Sequence, residues 1–310
     1  MIALRKIIRE FILKGKTLLS PKEDVFEVNP NLLSDLKKDI TKRSDTSNYS
    51  PSWKMMIEEF KKNILTNDIN NFLQWDIVKL TITSANSTLV DTEFSELKND
   101  ASFENKWKLL LQENNLGNPE KYWGNIKYGV NKIHQTYHLM RYEKISPGEL
   151  NKLSLVVEFG GGYGNMAQLF HRINPSQKYF IFDFPEMLAL QKFYLNSIEI
   201  PTAFENNNNN NYATLFSDPV LLESAVKEVD GKKLFIATWS FSESPTALRK
   251  LFSSMLSNFD CFIIAFQKEF DDVTNLEYFT EWIKQFDGVA WELKEIPHFK
   301  NSYYLFGNRK

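Results

Sequence analysis

The clearest candidate for a ligand-binding site in this 310-residue chain is a segment in which glycines follow an apolar run and an acidic residue. It reads Leu155-Val156-Val157-Glu158-Phe159-Gly160-Gly161-Gly162-Tyr163-Gly164. Glycine lacks a Cβ atom, so its backbone can take unusual dihedral angles and a ligand can approach the main chain closely. The segment predicts a buried strand that turns sharply beneath a nucleotide-like cofactor.

The spacing of these glycines narrows the class of cofactor. A dinucleotide fingerprint, G-x-G-x-x-G, would need its third glycine at position 165, where the chain has Asn165. This spacing disfavours NAD. The pattern that fits is E-x-G-x-G-x-G, and with it the chain resembles the class I S-adenosylmethionine-dependent methyltransferases. The resemblance implies S-adenosylmethionine as the cofactor.

A second acid supports this interpretation. Residues 178–183 are predicted to form the next strand, with Asp183 at its carboxyl end. A carboxylate there can accept hydrogen bonds from both hydroxyls of a ribose. Asp183 could also cap the helix that begins near Pro185, and the two roles are compatible.

The resemblance implies a set of cofactor-binding residues. The acid that ends the first strand helps to hold the aminoacyl end of the cofactor, and the glycine turn passes beneath it. The predicted set is Glu158, Gly160, Gly161, Gly162, Gly164, Asp183 and Phe184.

A polar segment after the fourth predicted strand is the first candidate for the acceptor side. It reads Thr238-Trp239-Ser240-Phe241-Ser242-Glu243-Ser244-Pro245. Its indole and hydroxyls could stack on a ring and bind hydroxyl groups, and Glu243 could take a proton. The alternative is a helix start in which Ser240 or Ser242 is the cap and Glu243 interacts with the helix dipole.

Two histidines, His134 and His138, lie four residues apart on one face of a predicted helix. A zinc site is disfavoured, because the H-E-x-x-H motif needs a glutamate where Gln135 stands and no third ligand is evident. We expect His138 or the neighbouring Tyr137 to face the crevice as base or acceptor contact, since histidine titrates near neutral pH. A hydrogen-bonded histidine between helices is an equal alternative for His138 and the favoured one for His134. His298 is a further candidate for the base.

No metal site is predicted. Asp271 and Asp272 follow the fifth predicted strand, in an area where some methyltransferases that act on sugars or catechols coordinate magnesium. Paired surface acids are more often part of a solvated loop, and that is the interpretation we favour.

Composition and charge exclude several classes of function. An apolar content of 43% is ample for a packed core, and a net charge of −2 does not indicate a nucleic-acid-binding protein. The single Cys261 lies in an apolar run and suits a reducing cytoplasm. Residues 1–20 have helical apolar spacing with too many basic residues for a signal peptide or a membrane span. We expect this amphipathic helix to pack on the domain or on a second subunit, as in a homodimer, without stable insertion into a membrane.

Hydrophobic periodicity divides the chain near residue 150. Helical spacing covers 53–65, 69–81, 103–114 and 122–144. From 153 onward, strands are predicted at 153–159, 178–183, 198–204, 233–239, 259–266, 289–296 and 302–306. The last two resemble the antiparallel hairpin that closes the methyltransferase sheet.

These elements predict an α/β fold. Its core is a Rossmann-like, seven-stranded, mostly parallel sheet with flanking helices, preceded by an N-terminal helical region. Residues 1–150 are predicted to form a helical region that caps the site, binds the acceptor or mediates dimerisation. Residues 151–310 are predicted to form the S-adenosylmethionine-binding domain.

A closer resemblance covers most of the chain. The motifs E-F-G-G-G-Y-G, F-D-F-P-E-M-L and W-S-F-S-E and the helix that contains Y-H-L are similar to those of the sugar O-methyltransferase family of bacterial surface-polysaccharide clusters. The resemblance implies methylation of a hydroxyl group on a sugar or glycan precursor. A histidine is expected near Trp239, and its absence leaves no base assigned at that position. Two alternatives stay open, namely a methyltransferase with a non-sugar small-molecule acceptor and a catalytically silent binding protein.

Overall fold

The computed structural model describes residues 26–42, 51–83, 86–124, 127–205 and 211–310. The amphipathic helix predicted for residues 1–20 lies outside these ranges. None of the helices within them combines the length and the apolar character needed to cross a bilayer.

The strands of the described residues are short runs rich in β-branched and aromatic side chains, which suit a pleated sheet. They are β1 (Leu155–Phe159), β2 (Lys178–Phe182), β3 (Thr202–Phe204), β4 (Ala213–Phe216), β5 (Lys233–Thr238), β6 (Cys261–Gln267), β7 (Glu269–Phe270), β8 (Val273–Thr274), β9 (Val289–Glu295) and β10 (Ser302–Arg309).

The main sheet has eight strands in the order β3-β4-β2-β1-β5-β6-β10-β9. The first six in this order pair in parallel, whereas β10 is antiparallel to both β6 and β9. The structure therefore confirms the α/β, Rossmann-like fold class. The chain leaves β1 for β2 on one side and later returns to β5 on the other, so a crevice opens at the carboxyl ends of these strands.

One strand of the main sheet and one small hairpin are absent from the sequence prediction. Strand β4 pairs with both β2 and β3, which makes the sheet eight-stranded instead of seven-stranded. Its four residues closely follow the asparagine run and are too few for a clear period, so sheet pairing decides their conformation. Strands β7 and β8 form a separate hairpin of two residues each.

Helices flank the sheet and also form most of the region before β1. The α-helices of four or more residues are α1 (Pro30–Ile40), α2 (Pro51–Thr66), α3 (Asp76–Thr81), α4 (Val90–Lys98), α5 (Val130–Ile145), α6 (Asn165–Ile173), α7 (Pro185–Ser197), α8 (Pro219–Lys227), α9 (Ser240–Glu243), α10 (Thr246–Leu251), α11 (Ser253–Leu256) and α12 (Asn275–Trp282). Turns of 3-10 or π helix and one three-residue α-helical turn lie at Ile69–Gln74, Phe103–Trp107, Lys108–Leu110, Tyr122–Gly124, Glu149–Asn151 and Ile283–Gln285.

Several helix predictions need correction. Helices α1 and α4 were not predicted, and the predicted helix 69–81 is a 3-10 turn followed by α3, with Trp75 in an extended conformation between them. The long helix predicted from 122 begins only at Val130. Apolar spacing continues across these breaks because the segments on both sides pack against the same core.

Two apolar clusters cover the two faces of the sheet. Side chains alternate along a strand, so Val156 belongs to one cluster whereas Leu155 and Val157 belong to the other. The cluster that contains Val156 also includes Leu36 and Phe72 of the N-terminal region. Residues on both sides of position 150 therefore share one core, and the domain boundary at 150 stays a prediction.

Candidate functional site

A cleft of about 830 Å³ lies at the carboxyl ends of β1, β2, β4 and β5. Its volume falls within the usual range for small-molecule sites. The N-terminal helices contribute to it as well as the sheet. Its lining includes Trp53, Met56, Thr81, Ile82, Asn131, His134, Gln135, His138, Gly160, Gly161, Gly162, Asp183, Phe184, Asp218, Trp239, Glu243 and Phe299.

The glycine turn after β1 has the predicted backbone conformation. The φ angles of Gly160 and Gly162 are +75° and +56°, values that residues with a Cβ atom rarely adopt. A Cβ at Gly160 would overlap Ser240, so protein atoms already occupy the space beside this glycine. A Cβ at Gly162 would meet Ile82 at 3.1 Å and would otherwise extend into open space. The room for a ligand is therefore at Gly162, and Gly160 is required by the fold.

The other two glycines have different surroundings. Gly161 also lines the cleft, but a Cβ there would come within 2.7 Å of Ile181. Gly164 does not contribute to the cleft lining and is the N-cap residue of α6, with φ +99°. Gly164 therefore does not lie in the cleft lining with the other glycines that were predicted to contact the cofactor.

Asp183 lies at the carboxyl end of β2 and faces the cleft. One oxygen accepts the backbone N–H of Phe184 at 2.8 Å, and the other accepts Nε2 of Gln191 at 2.7 Å. Burial raises the pKa of Asp183 to about 7. Phe184 is the N-cap residue of α7, so Asp183 is not the cap itself.

Gln191 is a site residue that the sequence analysis missed. It is fully buried on α7, and its Nε2 also donates to the carbonyl of Gly162 at 3.1 Å. This amide thus joins the glycine turn to Asp183. Its Oε1 has no hydrogen-bond partner among the described residues. A glutamine inside a helical pattern carries no sequence signal for this role.

Glu158 lies apart from the cleft lining. It is buried on the face of β1 that also carries Val156, and it accepts the Tyr179 hydroxyl at 2.8 Å. Burial raises the pKa of Glu158 to about 8. The negative charge of Asp183 also raises this pKa, so the two carboxyl groups lie near each other, and the contact of Glu158 with a cofactor stays a prediction.

The segment after β5 reaches the cleft through a strained residue. Trp239 has a φ of +67°, a backbone conformation that costs a non-glycine residue about 1–3 kcal/mol. Residues strained in this way occur most often at functional sites. The Ser240 hydroxyl donates to the Phe159 carbonyl and ties the ends of β5 and β1 together. The Ser242 hydroxyl donates to the Trp239 carbonyl at 2.6 Å. Both serines therefore have structural partners.

Glu243 ends the short helix α9 and lines the cleft in a half-buried position. Its Oε1 accepts Nε2 of Gln267 at 3.3 Å. Burial raises the pKa of Glu243, and the negative charge of Asp271 acts in the same direction. The carboxyl group thus favours its protonated form more than a solvated glutamate does.

His138 is fully buried on α5 and lines the cleft. Its Nδ1 lies 2.6 Å from the Tyr304 hydroxyl, and its Nε2 has no partner among the described residues. Burial lowers the pKa of His138 well below the usual value, and the nearby His134 and His298 lower it further. His138 is therefore neutral near pH 7.

His134 lies one helical turn before His138 and also lines the cleft. Its Nδ1 lies 2.8 Å and 3.0 Å from the two carboxylate oxygens of Glu93, a fully buried residue of α4. His298, in the β9–β10 connection, places its Nε2 2.9 Å from the same Glu93. The sequence analysis missed Glu93, because nothing in the local pattern of α4 marks it.

The remaining candidates are not part of the cleft lining. The Tyr137 hydroxyl donates to Glu96 at 3.1 Å, and Cys261 is a buried thiol in β6. Asp271 and Asp272 form the exposed turn of the β7–β8 hairpin, where Asp271 has φ +47°. Within the described ranges, no three histidine, cysteine or acidic side chains are grouped as metal ligands.

No protein-family model matches the chain, and no curated protein matches it. Solved structures with a similar fold include an O-methyltransferase family protein from Burkholderia thailandensis, with 12% identity and a TM-score of 0.39. That match covers 58% of this chain, and the chain spans 60% of the Burkholderia protein. Another is the magnesium protoporphyrin IX methyltransferase of Synechocystis PCC 6803 with bound S-adenosylmethionine, with 13% identity and a TM-score of 0.39, covering 72% of this chain and 97% of that one. At these values the similarity concerns the fold alone.

Proposed function

We propose that this protein is an S-adenosylmethionine-dependent O-methyltransferase that methylates a hydroxyl group of a sugar or glycan precursor. The observation that carries the proposal is the junction of Asp183 with the glycine turn at the point where the sheet order reverses. Ligands of open α/β sheets bind in the crevice at this point. The sugar as acceptor class rests on the sequence resemblance.

The residues of the cleft fit the proposed cofactor. Each oxygen of a carboxylate can accept more than one hydrogen bond, so Asp183 can still accept from ribose hydroxyls beside its bonds from the Phe184 and Gly161 backbone N–H groups and from Gln191. The open space beside Gly162 leaves room next to the main chain. Phe184, after the end of β2, adds an apolar surface to the same part of the cleft.

The chemistry of the proposed reaction demands mainly positioning. S-adenosylmethionine supplies a methyl group that is already activated on a sulfonium. The chain must hold an acceptor oxygen in line with this methyl group and remove the hydroxyl proton. His138 and Glu243 both line the cleft, and we assign them to acceptor contacts on that ground.

The walls of the cleft also favour a second class of acceptor. Trp53, Trp239 and Phe299 contribute aromatic surfaces, which can stack on the ring of a phenol as well as on the apolar face of a sugar. Trp53 comes from α2 and Ile82 follows α3, which supports the proposal that the region before residue 150 caps the site. A methyltransferase that acts on phenols is therefore the alternative function.

Calorimetric titration with S-adenosylmethionine and S-adenosylhomocysteine tests the proposed cofactor. We then expect the transfer of labelled methyl groups in a screen of free sugars, nucleotide sugars and phenols. Absence of binding by both nucleosides would refute the enzyme proposal. Binding without turnover of any acceptor would favour a silent binding protein instead.

Replacing Asp183 by alanine is expected to weaken the binding of S-adenosylhomocysteine by about 1–3 kcal/mol, because two charge-assisted hydrogen bonds to the ribose are lost. Calorimetry measures the change. Asp272→Ala is the matched control, since it removes an exposed carboxylate that does not line the cleft. Equal affinity of the Asp183→Ala variant and the unsubstituted protein would contradict the ribose assignment.

Cofactor affinity is also expected to depend on pH through Asp183. Its pKa of about 7 in the free protein means that the carboxyl is mostly protonated below pH 7 and must lose a proton before it accepts two hydroxyls. Cofactor affinity should therefore reach its plateau above pH 8. Below pH 7 it should decrease with a limiting slope of about tenfold per pH unit. Titration with 5′-methylthioadenosine, which has no aminoacyl group, measures this ribose contribution. A pH dependence that persists in Asp183→Asn would assign the titration to another group.

A further inference from the structure

We infer that His134 is the catalytic base that accepts the proton of the acceptor hydroxyl, and that Glu93 is the residue that positions it. The inference rests on the proposed methyl transfer and adds a residue pair to it. Sequence reasoning favoured a structural role for His134 and did not consider Glu93.

The first support is the geometry of the pair. His134 projects from α5 and Glu93 from α4, and both carboxylate oxygens lie within hydrogen-bond distance of Nδ1. Glu93 is fully buried, and His134 is only 5% exposed. An unpaired carboxylate at this depth would be costly, so the contact fixes both side chains.

The carboxylate also selects the tautomer of His134. An ionised carboxylate only accepts hydrogen bonds, so Nδ1 of His134 must carry the proton that it donates to Glu93. The Nε2 atom of the neutral ring then has a free lone pair. This buried atom has no hydrogen-bond partner among the described residues, and because His134 lines the cleft, the partner that we assign to it is an acceptor hydroxyl bound there.

His138 differs from His134 in the partner of its ring. The partner of His138 is the Tyr304 hydroxyl, which can donate or accept and therefore selects no tautomer. His138 has no carboxylate beside its ring in the described structure, so a positive charge on it would be uncompensated. A positive charge on His134 would be compensated by Glu93 directly. His138 thus suits an acceptor contact better than the base.

The titratable groups around Glu93 support its ionised state. Burial alone would raise the pKa of Glu93, but His134 and His298 hold it below its usual value. His298 approaches the same oxygen as His134, at 2.9 Å, and the His138 ring centre lies 4.4 Å from that of His134. Glu93 therefore contacts two imidazole rings, which stabilise its ionised form.

Two aromatic rings hold the His134 ring in place at the cleft. The ring centres of Trp239 and Phe299 lie 5.4 Å and 6.3 Å from it. Trp239 follows β5, next to the glycine turn that follows β1. The base therefore stands beside the place where the proposed methyl donor and the acceptor must meet.

Methyl transfer in this site forms one bond and breaks another. The acceptor oxygen forms a bond to the methyl carbon, and the electron pair of the broken carbon–sulfur bond stays on sulfur as a neutral thioether. The hydroxyl proton moves to Nε2 of His134. The imidazolium that results is paired with the Glu93 carboxylate until the proton leaves to solvent.

Kinetics of four variants test the pair with whichever acceptor the screen of sugars and phenols identifies. For His134→Gln we expect a kcat about 10²–10⁴-fold lower with little change in S-adenosylhomocysteine affinity. For Glu93→Gln, which keeps the side-chain shape, we expect a kcat about 10–100-fold lower, with partial recovery in Glu93→Asp. His171→Gln is the matched control, since His171 lies outside the cleft lining, and it should leave kcat unchanged. A kcat in His134→Gln within threefold of the unsubstituted enzyme would overturn the inference alone.

A second readout does not depend on turnover. Nitrogen NMR of the imidazole groups should show His134 protonated at Nδ1 and unprotonated at Nε2, and Glu93→Gln should alter this signal. A proton on Nε2 in the neutral ring would overturn the assignment of the base. Absence of cofactor binding by the unsubstituted protein would overturn the proposed function, and the catalytic role of His134 with it.

Discussion

The substitution Lys132→Ala is expected to lower the free energy of unfolding by about 3–5 kcal/mol. Lys132 is fully buried on α5, and its ammonium lies 3.0 Å from Glu113 and also donates to Gln168. Burial lowers the pKa of Lys132 to about 8, so the group still carries its charge at pH 7. Removal of this charge would leave the buried Glu113 carboxylate without its cation.

Denaturant unfolding at pH 7 measures this loss. The double variant Lys132→Met with Glu113→Leu should recover most of the stability, because replacing both charges by apolar groups of similar size is often neutral. Lys284→Ala is the surface control, since its ion pair with Glu281 is largely exposed and should contribute little. A loss below 1 kcal/mol in Lys132→Ala would show that Glu113 finds another partner or is neutral.

For Arg249→Ala we expect the free energy of unfolding to decrease by about 3 kcal/mol or more. Arg249 is 1% exposed, and its guanidinium donates to the carbonyls of Ser242 and Ser244 and to Oδ1 of Asn275. Hydrogen bonds from a charged group contribute more than neutral ones, and each buried acceptor left unpaired costs about 1–3 kcal/mol. The guanidinium also lies 4.7 Å from the ring centre of Tyr278.

Arg249 stabilises one wall of the cleft, because it donates hydrogen bonds to the segment that carries Glu243. Unfolding of Arg249→Ala and Arg249→Lys should show that lysine restores only part of the stability, since an ammonium cannot reproduce the planar fork. Binding of S-adenosylhomocysteine should weaken much less than stability, because the glycine turn and Asp183 have their own contacts. Full recovery by lysine would contradict the role of the fork.

The strand-and-turn pattern of the cofactor side could be predicted because it is local. The φ angles at Gly160 and Gly162 and the position of Asp183 at the end of β2 follow from residues close together in the chain. Strand β4 could not be predicted with the same rules, because its four residues become a strand by pairing with β2 and β3. The break in the helical segment at the extended residue Trp75 could not be predicted either, since apolar spacing continues on both sides of it.

The partners of the site residues were beyond the reach of sequence patterns. Glu93 reaches His134 from a helix 41 residues earlier in the chain, and no periodicity in either helix specifies which side chains meet. The orientation of Glu158, which was predicted to contact the cofactor, also depends on a distant partner, because the final residues of a strand can face either the cleft or a side chain of a neighbouring strand. Its bond to Tyr179 resolves that choice in the structure.

The sequence by itself determined the α/β class, the glycine turn and the acid at the end of β2, because each depends on short-range spacing along one segment. The tertiary structure decided which acid faces the cleft, which histidines have a carboxylate partner and which helices cover the site. These choices depend on the packing of distant segments around a shared core, where a buried charge is stable only beside its partner.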